Sequence, residues 1–414
     1  MLELNGTKPE YRMYILCYID PKKIFVLIKL QLQSDCFCEE LSFCVKMKSL
    51  NLLRICNFCR KFHTNSILHS ATNLNKPESI SKLLKKHQCL NKKPRGKNSV
   101  YLLNKDVSDE VAKVINNEQT NKASVILELN SGPGVLSSSL VDCSSGNVIC
   151  TEQLDEFQPY LQELKSRYPG RVTVSQWEPI GSLFKTSPLS VVNKYFDRES
   201  EVMSQIPNQD WTNAPPLTVV GSVLPHRWYL YLSYLIKHLA MRDGLYSAGR
   251  VEWFLFIPSR GFRWYWNAAQ SRSIGSFYST QGIMLTLLFN MKHHLTLPAS
   301  TFTPHFPGEK SLSEKSVRTI KVKKDDAHLL QLTPKADCCL TGDDVIKFQL
   351  FLQQLLSRGK NQRLIPRMEQ WIPGIGIPLI NLGCTMMQKM GDIDPDQLLE
   401  IYKVGLIGGS CIFD

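Results

Sequence analysis

An α/β fold built on a parallel sheet is the class this sequence predicts, and three observations predict it. From residue 106 onward, short apolar runs alternate with helix-period segments in a strand-turn-helix-strand-helix-strand order, the pattern of a parallel sheet with helices on its faces. A glycine turn, Gly132-Pro133-Gly134, stands where the first of those runs hands over to a helix. Beyond Thr341 the pattern changes to short helices with no strand between them.

Taken in order, Val107, Val111, Val114 and Ile115 recur at helical spacing and predict an amphipathic helix over Asp106 to Asn117. Val125 to Leu129 reads as a buried strand, Val148 to Thr151 as a second, Phe157 to Tyr168 as a helix and Val172 to Ser175 as a third strand. Prolines at 179, 188, 207, 215 and 216 break the pattern between Glu178 and Pro216, which reads as an insertion or a lid. The sheet resumes at Leu217 to Gly221, followed by an aromatic-rich helix over Trp228 to Met241 and a strand over Val251 to Ile257. A helix is expected over Gly282 to His294, with His293 and His294 as surface or capping residues at its end, and a final strand over Ala327 to Leu332. Val345, Phe348, Leu352, Leu355 and Leu356 share one helical face, and further short helices are expected near Arg363 to Trp371 and Pro395 to Tyr402.

The chain has 414 residues and a net charge of +12, and the charge is concentrated. Between Met47 and Lys97 twelve basic residues face the single acid Glu78, so that segment alone carries +11. A basic, acid-poor stretch with interspersed apolar residues reads as a mitochondrial transit peptide (47–70) running into a basic arm (71–97), or as a disordered basic tail. Residues 1–46 contain acids and fit neither pattern; they are expected to be an extension without a fold of its own, with Met47 as the natural start. The α/β domain is placed at 98–335 and a helical C-terminal domain at 336–414. No run approaches the about 18 uncharged apolar residues of a spanning helix, and the nearest candidate, Lys23 to Leu32, is about half that length, so no membrane partner is expected. Seven of the thirteen cysteines precede residue 90, and neither Cys56-x-x-Cys59 nor Cys36-x-Cys38 has a second ligand pair, so no metal site is expected.

The glycine turn lets backbone approach a ligand closely, and Glu152, at the end of the second strand, is spaced to accept hydrogen bonds from ribose hydroxyls. The pair points to an adenosine-containing ligand; a tight strand-helix turn with no ligand is the alternative.

The run ELNSGPGVLS from Glu128 to Ser137 resembles the first motif of the ribosomal-RNA adenine dimethyltransferase family, E-x-G-x-G-x-G-x-L-T, and Tyr101-Leu102 resembles the family's N-F-L segment. The resemblance spans roughly residues 95–405. It implies a class I S-adenosylmethionine-dependent methyltransferase (Rossmann-like) sheet with a small all-helical C-terminal domain. It also implies that Leu102, Glu128, Gly132, Gly134 and Glu152 are cofactor-binding and that the cofactor, if any is kept, is S-adenosylmethionine.

The departures from that family are specific. Asn130 stands at the first glycine, Val100 at the N-F-L asparagine, and Gln176 or Trp177 at the acid that contacts adenine. The family's N-L-P-[YF] motif, which grips the flipped target adenine, is represented by Ser222, Val223, Leu224, Pro225 and His226. Adenine's amine is a poor nucleophile that needs positioned hydrogen bonds and alignment, so a weakened or lost methyl transfer is expected, with no catalytic residue among these four positions: Ser222, Leu224, Pro225 and His226.

That degenerate motif, with LYSAGRVE from Leu245, TPHFP from Thr303, IPRMEQWIP from Ile365 and GDIDP from Gly391, is similar to the mitochondrial transcription factor B branch and its second paralogue. The resemblance implies a mitochondrial transcription initiation factor that joins the mitochondrial RNA polymerase and helps melt promoter DNA, located in the mitochondrial matrix at the nucleoid. The alternatives are an active mitochondrial rRNA adenine N6-dimethyltransferase acting on small-subunit rRNA, and an RNA-binding structural protein of the mitochondrial ribosome. Candidate nucleic-acid contacts are Lys310, Lys315, Arg318, Lys321, Lys323 and Lys324, with Arg242, Arg250, Arg260 and Arg263. The lysine run reads equally as a solvated loop, and Trp264 to Trp266 as core packing or as faces for unstacked bases.

Overall fold

The computed structural model describes residues 2–5, 11–20, 23–32, 40–47, 83, 85–87, 90, 100–177, 198–223, 228–259, 261–263, 266, 279–304, 326–337, 340, 342–357 and 359–408. It divides into two compact units, residues 1–75 and 76–414.

In the first unit, where an extension without a fold of its own was expected, four strands pair as an antiparallel meander: β1 (Leu2–Asn5), β2 (Tyr11–Asp20), β3 (Lys23–Leu32) and β4 (Glu40–Met47). The runs YRMYILCYID and KIFVLIKLQL are rich in aromatic and β-branched residues, which favour strands.

The second unit is organised by a seven-stranded sheet. Its strands are β6 (Val125–Leu129), β7 (Val148–Thr151), β8 (Val172–Ser175), β9 (Leu217–Ser222), β10 (Val251–Pro258), β11 (Phe289–Pro298) and β13 (Asp326–Pro334), in the order β11-β13-β10-β9-β6-β7-β8. Strands β6 to β10 run parallel, while β13 is antiparallel to both β10 and β11. This is the order of the class I methyltransferase sheet that the resemblance implies. Every residue of β6 and β10 is buried, the near-continuous apolar reading expected of strands covered on both faces. From β6 the chain winds one way through β7 and β8, then returns to β9 and β10 on the other side. The crevice beyond the carboxyl ends of β6 and β9 is therefore the topological switch point, where α/β sheets place ligands.

Helix α1 (Lys105–Glu118) begins where Asn104 caps it, its side-chain oxygen accepting from Asp106 N at 3.0 Å and Val107 N at 3.3 Å. The crossovers use α2 (Val135–Cys143), α3 (Gln158–Arg167), α4 (Trp228–Met241) and α5 (Thr280–Leu288). The helix expected over Gly282 to His294 is corrected here. It ends at Leu288, and the next ten residues form β11, the edge strand. The apolar run GIMLTLLF conceals the change of period, because Phe289, Leu295 and Leu297 are buried on a strand while their polar neighbours face outward. His293 and His294 thus lie on an edge strand beside a bulge, not at a helix end.

Two short strands, β5 (Tyr101–Leu102) and β12 (Phe302–Thr303), pair with each other, an association between distant segments that no local pattern announces. The C-terminal helices are α6 (Asp343–Leu356), α7 (Leu364–Glu369), α8 (Gly376–Asn381) and α9 (Pro395–Gly408). Residues 336–414, read as a domain of their own, share one hydrophobic cluster with the sheet and α4–α5: Leu352, Leu364, Leu379 and Ile401 continue from Trp253, Leu285 and Leu330. No helix among the described residues is long and apolar enough to cross a membrane.

Glu252, fully buried on β10, ties the turn after α1 to β10 and β13. Its carboxylate accepts from Thr120 N at 3.0 Å, Thr120 Oγ1 at 2.5 Å, Gln331 Nε2 at 2.8 Å and Thr333 Oγ1 at 3.2 Å. Beside it, the Arg250 guanidinium donates to the carbonyls of Asn213 and Pro334, so its donors serve the fold instead of standing free for phosphate. Glu252→Ala should lower stability by about 3 kcal/mol, because it leaves buried donors unpaired. A shift of the urea midpoint checks this.

Candidate functional site

The site is assembled at the switch point from the ends of β6, β7 and β9 and the short strand β5. Beyond β6 the backbone turns through three left-handed residues: Asn130 at φ +55°, Gly132 at +57° and Gly134 at +78°. Asn130 holds the first glycine's conformation because asparagine tolerates that region better than most side chains. Gly132 has a second requirement. A Cβ there would lie 2.4 Å from Tyr101 Cδ1, so only glycine lets the Tyr101 ring rest against the turn. Gly134 then caps α2 with no side-chain bond.

Two carboxylates lie beneath this turn. Glu152, at the end of β7 and 2% exposed, accepts from Gly132 N at 2.9 Å and from Leu154 N at 2.9 Å. Burial raises its pKa, against the hydrogen bonds from backbone amides at Leu154 and Gly132. Glu128, the last residue but one of β6, accepts from Ser137 Oγ. Burial pushes its carboxyl up to about 8, the neighbouring Glu152 adding to the shift while Ser137 and Ser131 oppose it.

A shallow cleft opens beside them, lined by Val100, Leu102, Asn130, Ser222, Phe256 and Phe302 among others. Ser222, at the end of β9, donates from Oγ to Val100 O at 3.1 Å. The two positions where the family carries asparagine are thus joined to each other across the cleft mouth. At the position of the adenine-contacting acid, Gln176 donates to Asp155 Oδ1 at 2.8 Å and accepts from Arg198 at 3.2 Å, while Trp177 is buried. Arg198 falls in the stretch read as an insertion or a lid, where no sequence signal marked it.

The structure brings Leu102, Glu128, Gly132, Gly134, Glu152 and Ser222 together around this crevice. Leu224, Pro225, His226, Arg260, Lys310, Lys315, Arg318, Lys321, Lys323 and Lys324 lie outside the described residues. Arg263 is placed after β10, its Nε 3.4 Å from Ser259 O. Trp266 stacks on Phe262 at 5.6 Å, partly buried against the core. Phe262 in turn stacks on His328 at 4.0 Å, and burial, with His293 and Arg263 nearby, pushes that imidazole down to about 3. Arg242 lies over the Trp211 ring at 4.8 Å. Among the described residues no group of three or more His, Cys, Asp or Glu side chains is placed to hold a metal ion.

The Glu128 shift sets a pH dependence. Its folded carboxyl keeps a proton that the unfolded chain, near the ordinary value of 4.5, has lost. The stability it contributes is therefore full below 4.5 and lost as pH rises to about 8, at up to about 1.4 kcal/mol per pH unit. Glu128→Gln should match the wild type near pH 5 and exceed it in urea midpoint at pH 8. An equal difference at both values would mean the carboxyl is ionised in the folded protein.

Comparison with known proteins places the chain by sequence. The family model for ribosomal RNA adenine dimethylase matches residues 90–404. A Drosophila melanogaster protein, "Dimethyladenosine transferase 2, mitochondrial", is 26% identical over 317 residues, covering 75% of this chain and 68% of its own length. The Rattus norvegicus protein of the same name is 23% identical over 231 residues, covering 55% of this chain and 56% of its own length. A solved dimethyladenosine transferase from Plasmodium falciparum aligns over 73% of this chain and 98% of its own, at 14% identity and a TM-score of 0.47. With its sheet order, its glycine turn and a family match over most of its length, this chain belongs to the ribosomal RNA adenine dimethylase family.

Proposed function

We propose that this protein is a mitochondrial transcription initiation factor that joins the mitochondrial RNA polymerase and promotes promoter melting on a degenerate rRNA adenine dimethyltransferase fold. The observation that carries the loss of methyl transfer is the Ser222–Val100 hydrogen bond. A target adenine needs an amide and a carbonyl to orient its amine, and the serine hydroxyl that replaces the amide already donates within the chain. The transcription role rests on the segments from Leu245, Thr303, Ile365 and Gly391 that are similar to the transcription factor B branch. The relatives named mitochondrial and the basic segment 47–97 support a mitochondrial location, and a promoter partner would place it at the matrix nucleoid.

Melting asks for cations along phosphate and for faces that receive unstacked bases. The run from Lys310 to Lys324 supplies the first. Trp266, packed on Phe262, is better suited to the core than to a base.

A second reading, an active rRNA adenine N6-dimethyltransferase acting on small-subunit rRNA, is favoured by the relatives' names and by the retained glycines at 132 and 134. Transfer of labelled methyl groups to a small-subunit rRNA hairpin separates the two.

Run-off transcription by the cognate polymerase, with and without the full chain, should require the protein on a duplex promoter and largely dispense with it on a promoter pre-melted at the start site. No effect on either template would defeat the transcription reading. Replacing Lys321, Lys323 and Lys324 together with Gln should lower the slope of log K against log salt by about 2 to 3. An unchanged slope would place the phosphate contacts elsewhere.

A further inference from the structure

Three residues of the turn after β6 take the left-handed backbone that favours glycine, and the surroundings of each show what glycine is kept for. At Gly132 a Cβ would meet the Tyr101 ring, with Cδ1 at 2.4 Å, Cε1 at 2.9 Å and Cγ at 3.0 Å. At Gly134 a Cβ would meet two side chains of α3, Leu161 Cδ2 at 3.0 Å and Leu164 Cδ2 at 3.5 Å. Both glycines are demanded by the packing of this chain on itself, with or without a ligand.

Asn130, at φ +55°, is the third of these residues, and the only one of the three that lines the shallow cleft at the switch point. It is also the one at which the family's glycine has been replaced. The fold accommodates a full side chain there, so internal packing makes no demand for glycine. Glycine is thus kept where a side chain would strike the protein and lost where a side chain meets what enters the cleft.

The remaining walls leave little room to compensate. Ser222 Oγ is tied to Val100 O at 3.1 Å. Phe256 and Phe302 meet edge-on at 5.1 Å and are 2% and 1% exposed, held in the core behind the cleft. Close-packed side chains of this kind do not move aside cheaply, so the Cβ, Cγ and amide atoms of Asn130 compete directly with a ligand for the space. The residues present therefore do not fit the cofactor that the family implies.

We infer that Asn130 is the residue that excludes S-adenosylmethionine from this chain: its side chain stands in the cleft at the point where the family's glycine leaves the backbone open. This rests on the family assignment and not on the transcription reading, so either can fail without the other. Gly132 and Gly134 remain as architecture, and the replacement at 130 is what separates a cradle from a turn.

The test is isothermal titration calorimetry of the full chain with S-adenosylhomocysteine, which has the cofactor's adenosine and amino-acid parts without the reactive methyl. The wild type should show no measurable binding. Asn130→Gly adopts the left-handed turn at least as readily, so it should melt close to the wild type. It should bind at least about tenfold more tightly than the wild-type detection limit, a gain at the low end of what relieved overpacking gives. Asn130→Asp keeps the shape of the side chain and should gain nothing. Three results overturn the inference: a wild type that binds in the low micromolar range, an Asn130→Gly protein that melts like the wild type and gains nothing, or an Asn130→Asp gain equal to that of Asn130→Gly. If Asn130→Gly does not fold, the wild-type titration decides alone.

Discussion

The buried carboxylate of Glu152 is the interaction on which the functional end of the sheet depends. It sits at the end of β7 and holds the amides of Gly132 and Leu154, so it joins the turn leaving β6 to the loop leaving β7. A buried acid is costly unless its oxygens are satisfied, and here they are satisfied by the backbone it organises. The left-handed residues at 130, 132 and 134 follow from that arrangement, as does the start of α2 at Val135. The crevice at the switch point is thereby a rigid feature of the fold, whether or not a ligand enters it.

A common pattern runs through the positions where this chain departs from its family. Ser222 bonds the Val100 carbonyl, and Gln176 is fastened between Asp155 and Arg198. Each stands at a position where the family's motif residue would engage a bound cofactor or base. Without a ligand such groups need partners within the chain, because an unsatisfied buried donor or acceptor costs roughly 1–3 kcal/mol. A site whose polar groups are paired within the chain gains stability in the unliganded state, and this supports the proposed loss of methyl transfer.

The scaffold is extensive. The helices α6 to α9 share one apolar cluster with α4, α5 and the sheet, while a second cluster on the opposite face joins α1, α2 and α3 to β12. Glu252 ties the turn after α1 to β10 and β13 through Thr120, Gln331 and Thr333. A surface that engages a large partner needs such a base, since binding energy is lost if the base yields.

Local sequence determined most of the strands and helices by itself. Val125–Leu129, Val148–Thr151, Val172–Ser175 and Trp228–Met241 have the boundaries their periodicity predicts, because a short apolar run bounded by turn residues has little else to become. The glycine turn and its acid were legible for the same reason, a fixed spacing with a physical purpose. Tertiary structure alone decided the rest. The change from helix to strand at Phe289 was hidden, because both states bury the same apolar residues and only the open edge of β13 selects the strand. That the C-terminal helices share an apolar cluster with the sheet was hidden too, because sequence reports burial only by residue type. The contacts around the crevice were hidden as well. That Ser222 bonds Val100, and that the Tyr101 ring rests on Gly132, depends on segments far apart in the chain, which only folding brings together.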